Sequence, residues 1–288
     1  MRSFFPILLP LLMFSALDVL FIPSGIETPP GMVPVSPKRV VSLSPSLTRQ
    51  IVDLQAEDRL VGVTTYHPPL KRSVDLVGTL IQPSLERIIT LRPDTVLISE
   101  EDNPIQSVDR LRSLGLPVYT FPRTRSFEDI CRNYLALARM LNREELAMKK
   151  LTIYRRRLQG VRASAESATV AFFISHRPLI AASRSSFIHQ MLRDAGGRNI
   201  LQWAKSPYPV LSTEYLAAAD PDCLLSMEAG APEFFGKLLK GLSGMKALSE
   251  GRIHSIEISR VPYYTPEDYV HSVEYLAPLI RGRGKSHE

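Results

Sequence analysis

A sixteen-residue segment occurs twice in this chain: "SLERIITLRPDTVLIS" at 84–99 returns, without a gap, as "STEYLAAADPDCLLSM" at 212–227. The copies share Ser84/Ser212, Glu86/Glu214, Pro93/Pro221, Asp94/Asp222 and Leu97/Leu225, and apolar residues match at Ile88/Leu216 and Val96/Leu224. Each copy reads as a helix that turns into a strand. The serine is placed to cap the helix, and Pro-Asp ends it and launches an apolar run. The glutamate falls in the first turn, where the helix dipole favours negative charge by about 0.3–1 kcal/mol. Cap, turn and core account for every shared position except the glutamates, because the second helical position tolerates many residues. Two exposed carboxylates at matched places suit a pair of docking points.

The rest of the chain places these units in an alternating pattern. "RVVSL" (39–43), "LVGVTTY" (60–66), "TVLIS" (95–99) and "LPVYTF" (116–121) read as strands, separated by helices near 44–60, 85–91 and 107–115. Near-continuous apolar strands alternating with helices predict a parallel sheet covered on both faces. From Ser126 to about Ser164 the alternation stops, and apolar residues keep helical spacing with almost no Gly or Pro. The spacing predicts one long helix there, with Asn142-Arg143 its natural break. Strands and helices then resume: "TVAFFIS" (169–175), "LIAAS" (179–183), a helix at 186–197, the second copy of the unit, a helix near 234–249, "IHSIEI" (253–258) and a last helix from Pro266 to Leu279. The expected organisation is an α/β fold of two lobes with mostly parallel sheets. The N-terminal lobe is expected at 38–125, the interlobe helix at 126–166 and the C-terminal lobe at 167–288.

Ahead of the first lobe, "MRSFFPILLPLLMFSALDVLFIPSG" has one basic residue followed by an apolar run, the layout of a secretory signal. A membrane anchor is the competing reading, which Asp18 and the prolines disfavour. Residues 1–25 are therefore expected to be a signal peptide in preference to an anchor, and 26–37 a Pro-rich linker. No cysteine lies near this segment, so lipid attachment is not expected. The two cysteines, Cys131 and Cys223, permit a disulfide by count, but they fall in a helix and a strand pattern far apart in sequence, and Cys223 reads as a buried small hydrophobe.

A net charge of +6 suggests an anionic partner. The basic residues are dispersed, however, and the densest group, Lys149 to Arg157, lies on the long helical segment and reads as a solvated face. No nucleic-acid-binding signature accompanies it, and none is expected as a partner. An exported enzyme would call for a nucleophile elbow, an H-E-x-x-H zinc site or a phosphate loop, and none of these motifs is present. A membrane-tethered sensor rests on the N-terminus alone.

Taken together, "RVVSLSPSLTRQIVDLQAEDRLVGVTTYHPP", "SLERIITLRPDTVLIS", "VDRLRSLGLPVYTF", "SFIHQMLRDAGGRNIL" and "STEYLAAADPDCLLS" resemble the periplasmic substrate-binding proteins of ABC importers for cobalamin, siderophores and haem. The likeness covers roughly 38–280 and is strongest to the cobalamin-binding members. It implies two α/β lobes bridged by one long helix, ligand held in the cleft between them, and no catalysis. It also implies that Glu86 and Glu214, one per lobe, dock onto arginines of a dimeric permease that works with cytoplasmic ATPases. A monomeric, periplasmic protein with no resident cofactor or metal follows, any cobalt or iron belonging to the cargo itself.

Loops at the carboxyl ends of the strands should line the cleft. These supply Tyr66 and His67, Ser99 with Glu100 and Glu101, His176 and Arg177, Ser206 to Tyr208, and Arg260 to Tyr264, with Tyr263 a candidate stacking ring. Cobalamin binders of the family use several tryptophans here, whereas this chain has only Trp203. Tyr66 and Tyr208 keep an aromatic ring at family positions, while Leu80, Ser99 and Ile180 stand where larger rings are expected. A flat corrinoid could stack on the tyrosines. His67, His176 and the tyrosines also suit haem iron, and Arg177 or Arg260 an anionic siderophore. The alternatives to a corrinoid are thus a ferric siderophore, haem, or an oxyanion such as molybdate.

Overall fold

The computed structural model describes residues 36–163, 168–240, 244–262 and 264–282. The expected leader, nearly all of the Pro-rich linker, and Tyr263 lie outside the described residues. Among the described residues, no helix is long and apolar enough to cross a membrane.

The first sheet is built from β1 (Val40–Ser42), β2 (Leu60–Val63), β3 (Asp75–Leu76), β4 (Thr95–Ser99) and β5 (Val118–Phe121). They run parallel in the order β3-β2-β1-β4-β5. Every residue of β1 and β4 is buried, as a sheet covered on both faces requires. Neighbouring residues separate to opposite sides. Val41, Val96 and Ile98 pack with Ile88 of α2 (Leu85–Thr90) and Leu111 of α3 (Ile105–Ser113). Val40 and Leu97 face Leu47 and Ile51 of α1 (Pro45–Asp53). Helix α1 starts where the sequence places it: the Ser44 hydroxyl accepts from the Leu47 amide, and Pro45 occupies the first turn.

The second sheet comprises β6 (Ala168–His176), β7 (Leu179–Ala181), β8 (Gly197–Asn199), β9 (Cys223–Ser226) and β10 (Ile253–Ser255). Its order is β10-β9-β6-β7, with β8 beside the first half of β6; β7 alone runs antiparallel to its neighbour. On one face Phe173 and Leu224 pack with Leu216 of α7 (Thr213–Ala219) and Phe235 of α8 (Ala231–Leu238). On the other, Phe172 and Leu225 meet Met191 of α6 (Phe187–Asp194) and Tyr269 and Leu276 of α10 (Pro266–Ile280). The helix expected near 234–249 is two, α8 and the short α9 (Lys246–Ser249).

The segment expected as one helix over 126–166 is also two, α4 (Phe127–Met140) and α5 (Glu144–Ala163). Asn142 adopts φ +53°, the left-handed region that terminates helices, and the Arg143 amide folds back onto the Ala138 carbonyl at 2.7 Å. The chain reverses here. Arg139–Glu144 and Glu128–Arg155 ion pairs, both at 2.8 Å, link α4 and α5 as an antiparallel hairpin. The bridge between lobes is therefore α5 alone, 20 residues or about 30 Å. Lys150 near its start pairs with Asp53 of α1, and Arg157 and Arg162 near its end pair with Glu274 of α10 and Asp194 of α6.

One apolar cluster runs through both lobes. It contains Leu47 and Phe121, then Tyr134, Leu137, Leu151 and Leu158 of the helical hairpin, then Phe172 and Tyr269. Cys131 and Cys223 belong to the same cluster, both free, and burial pushes each thiol up to about 12.

Candidate functional site

The carboxyl ends of the parallel strands are where α/β sheets bind ligands, and here cavities open between the lobes. A chamber of about 550 Å³ is walled by Phe172, Phe187, Met191 and Met227, with Tyr208 and Tyr264 at its polar lip. Arg49 is the residue that α1 contributes to it. The guanidinium is held in a two-point grip by Asp268, Nε to Oδ2 at 2.7 Å and Nη2 to Oδ1 at 2.9 Å. That bond is the main reason the Arg49 pKa is raised. Asp268 is buried in the first turn of α10, where its amide donates to Thr265 Oγ1 at 3.0 Å. Gln50 Nε2 donates to the Tyr264 carbonyl at 2.8 Å, so α1 is clamped twice to the approach to α10.

A second chamber, about 530 Å³, shares Phe187 and Tyr208 with the first. Its remaining walls are polar: Arg123 and Arg125 from the β5–α4 connection, Arg184 and Ser185 from the β7–α6 connection, and Glu101. Burial pushes the Glu101 carboxyl upward, against bonds from Thr124. A small third cavity, lined in part by Ser99, Asp102 and Asn133, lies beyond Glu101 and is closed by side-chain hydrogen bonds from Ser44 and Ser46 to Asp102.

The structure distributes the candidate residues unevenly. Tyr208 lines both larger chambers. Ser99 is buried and lines the small polar cavity, its hydroxyl accepting from the Glu101 amide at 3.2 Å. Glu100 turns aside to accept the Arg123 amide, also at 3.2 Å. Tyr66, 68% exposed, and His67, whose Nδ1 lies 2.7 Å from the Pro68 carbonyl, line no chamber described here. Arg177 sits 6.0 Å above the Phe234 ring, away from the chambers, and Arg260 stacks over Tyr275 at 5.1 Å.

His176 departs furthest from the expected cleft role. It is buried, stacked on Phe234 at 4.1 Å, with Nε2 2.8 Å from Ser226 Oγ and Nδ1 3.0 Å from Glu228 Oε2. Burial holds its pKa below the ordinary value despite the nearby Glu228 carboxylate. The order Ser–His–Glu has the connectivity of a hydrolytic relay, yet the Ser226 hydroxyl belongs to a residue with 0% exposure in the middle of a sheet. No substrate atom can reach it, and the three residues tie β6 to β9 and its following loop.

Glu86 and Glu214 are both exposed, each the second residue of a serine-capped helix. Ser84 Oγ accepts from the Arg87 amide at 3.5 Å and Ser212 Oγ from the Tyr215 amide at 3.2 Å. The Glu214 carboxylate is held below the usual range by its own amide and the Ser212 hydroxyl. Trp203, 62% exposed, lies outside the chambers and donates from Nε1 to Tyr215 Oη at 2.6 Å, beside Glu214. Sequence reasoning missed Arg49, Arg123, Arg125, Arg184 and the two methionines. A signal existed for three of these: "PRTRS" and "SRSS" are basic tracts between a strand and a capping serine.

A sequence profile of the periplasmic binding proteins matches residues 40–257. The vitamin B12-binding protein of Vibrio cholerae serotype O1 is 28% identical over 200 residues, 68% of this chain and 72% of that one. Among solved structures, the periplasmic vitamin B12 binding protein BtuF of Vibrio cholerae superposes with a TM-score of 0.72 at 24% identity, over 88% of this chain and all of that one. The periplasmic heme binding protein HutB of the same organism superposes with a TM-score of 0.73 at 20% identity, over 84% of this chain and 98% of that one.

Proposed function

The chain belongs to the periplasmic binding protein family, and from that premise we propose that it captures a cobalamin-like corrinoid in the interlobe cleft and delivers it to an ABC permease. The observation that carries the reading is the apolar chamber of about 550 Å³, whose aromatic and methionine walls suit a flat macrocycle. Its relatives by sequence are named for vitamin B12 binding.

In this reading the cargo ring enters between Phe187 and Tyr208 on the C-terminal lobe and the loops of the N-terminal lobe. The continuous core through α4, α5 and α10 limits the hinge, so the preformed walls supply the affinity and little free energy goes into closure. Glu86 and Glu214 then present one carboxylate per lobe to permease arginines. Exposed pairs of this kind contribute only about 0–1 kcal/mol each, and their use is orientation and encounter rate. The protein works in the periplasm, as a monomer, without turnover of its cargo.

Titration of the purified full chain with cyanocobalamin, followed by absorbance and calorimetry, tests the proposal. Saturable one-to-one binding is expected. Silence with cobalamin and cobinamide, alongside a shifted Soret band with haemin or heat from a ferric siderophore, would reassign the cargo to haem or an iron chelate.

A further inference from the structure

The two large chambers share a wall and differ in charge. In the apolar chamber Arg49, the one guanidinium among the described lining residues, is neutralised by the buried Asp268 carboxylate. In the second chamber Arg123, Arg125 and Arg184 converge from opposite lobes on about 530 Å³. Among the described residues, the side chains of Arg125 and Arg184 make no hydrogen bond or ion pair, while Arg123 reaches only the Glu100 carbonyl, at 3.2 Å. Among the described residues, the single carboxylate lining this chamber is Glu101, already engaged by the Thr124 amide at 3.3 Å.

The helix that begins here adds to the imbalance. Ser185, Ser186 and Phe187 line the chamber and start α6, whose first turn carries no acidic residue. Its N-terminal partial charge, near +0.5, is therefore not compensated from within the helix. By contrast α4, which follows Arg125, carries Glu128 and Asp129 in its first turn. Three guanidiniums and a bare helix N-terminus against one carboxylate leave a cationic chamber, opening beside an apolar one across Phe187 and Tyr208.

We infer that this second chamber is a subsite for an oxyanion arm of the cargo, a phosphodiester or carboxylate group carried beside the flat body that fills the apolar chamber. The inference rests on the cleft being the cargo site. It narrows the cargo class to an amphiphile, apolar over its face and anionic at one edge. It also moves the charge recognition from Arg177 and Arg260, which stack on aromatic rings elsewhere, to Arg125 and Arg184. Arginine is suited to the task because its planar fork meets two oxygens at once.

The test uses the full chain and its Arg125→Gln/Arg184→Gln variant, in which exposed side chains without partners are replaced. Inorganic pyrophosphate is the first probe, because it asks about the chamber without assuming a cargo. A saturable rise in Tm is expected for the natural chain and not for the variant. No rise in the natural chain, or an equal rise in both, overturns the inference. The second arm compares cyanocobalamin, which carries a phosphodiester, with cobinamide, which does not. The variant should bind cobalamin about tenfold more weakly, the scale of one charged hydrogen bond, and cobinamide as well as the natural chain does. If both corrinoids bind and neither responds to the variant, the arm assignment fails while corrinoid capture stands. If neither corrinoid binds but pyrophosphate still protects, corrinoid capture fails and the chamber stands. Haemin in place of cobalamin then asks whether carboxylates supply the arm.

Discussion

The two copies of the repeated unit are the same device built into different surroundings. In both, a serine caps the helix and the residue before the shared proline turns left-handed, Arg92 at φ +45° and Asp220 at φ +38°. The shared aspartate also has a matching task, which the bare sequence did not disclose. Asp94 accepts from the Lys38 and Arg39 amides at 2.7 and 2.9 Å, just ahead of β1. Asp222 accepts from the Thr169 amide and hydroxyl at 2.7 and 2.6 Å, at the start of β6. Each aspartate pins the strand that pairs with its own. The copies diverge at the strand's end, where buried Ile98 is matched by Ser226, which bonds His176. They diverge again beside the glutamate, where the Tyr215 hydroxyl accepts from the exposed Trp203 indole and the matched residue is Arg87. The lesson is that the repeat preserves the frame and the outward carboxylate, while the buried strand end and the residue after the glutamate are free to differ.

Removing both carboxylates should have the largest effect. Glu86→Ala with Glu214→Ala is expected to abolish cargo uptake in a transport assay and leave the dissociation constant unchanged. Equal losses in uptake and affinity would place the glutamates in the cargo site or the fold instead of at a docking face. The single variants sharpen the comparison, because Tyr215, next to Glu214 in the chain, holds the exposed Trp203 indole. If that aromatic pair adds contact area, Glu214→Ala should impair uptake less than Glu86→Ala.

Next in size is the contrast between the tyrosines of the two lobes. Tyr208 lines both chambers and Tyr66 lines neither. Tyr208→Ala should weaken cargo binding at least about tenfold, or 1.4 kcal/mol, with a smaller change for Tyr66→Ala. Isothermal titration of the two variants in parallel decides this, and a reversed order would mean that the N-terminal lobe carries the stacking ring.

Below these come the two aspartates. Asp94→Ala strands two exposed backbone amides and Asp222→Ala one part-buried amide, at about 1–3 kcal/mol for a buried group. Asp222 should be the costlier loss, since it also holds the Thr169 hydroxyl and faces Lys246 at 3.5 Å. Urea midpoints at pH 7 would show it. Equal midpoints would mean that the extra partners at Asp222 add nothing measurable.

Most of the frame was readable from residue order because local signals agree there. Ser44, Ser84, Ser126, Ser186 and Ser212 each accept from the amide three residues on, and continuous apolar runs become strands buried on both faces. The hairpin between α4 and α5 was harder to read because Asn142 is one residue in a strongly helical pattern, and its left-handed turn is enforced by tertiary packing of the flanking helices. The cleft was harder still. Its walls come from α1, β6, α6 and several connections, and nothing in the spacing of Arg49, Met191 and Met227 brings them together. His176 departs from the pattern because a residue at the end of a strand is expected to face the cleft. Its imidazole turns instead into the packing between Phe234 and Phe235.

The lobes should differ, last and least, in their response to acid. His176, His189 and His254 all belong to the C-terminal lobe, and burial is the leading cause holding each below the ordinary histidine value. Such a group is neutral when folded but titrates near pH 6.5 when unfolded. Between its folded and unfolded values the unfolded chain binds more protons, so stability rises with pH and is complete above about 6.5. Lowering the pH from 7.5 to 5.5 should therefore reduce Tm by an amount set by these three groups. Asp222 acts later: burial raises its pKa, but the Thr169 bonds and Lys246 outweigh this and hold it low, so its contribution is complete above the ordinary aspartate value and is lost as the pH falls from there through its lowered folded value. His176→Phe should flatten part of the profile while keeping the ring stacked on Phe234. Hydrogen exchange at pH 5.5 locates the effect: faster exchange in β6 and β9 than in β1 and β4 is expected, because the N-terminal copy of the unit has Ile98 where the C-terminal copy has Ser226 and its histidine. Uniform exchange across both sheets would mean that the core shared through α4, α5 and α10 couples the lobes so tightly that neither opens alone.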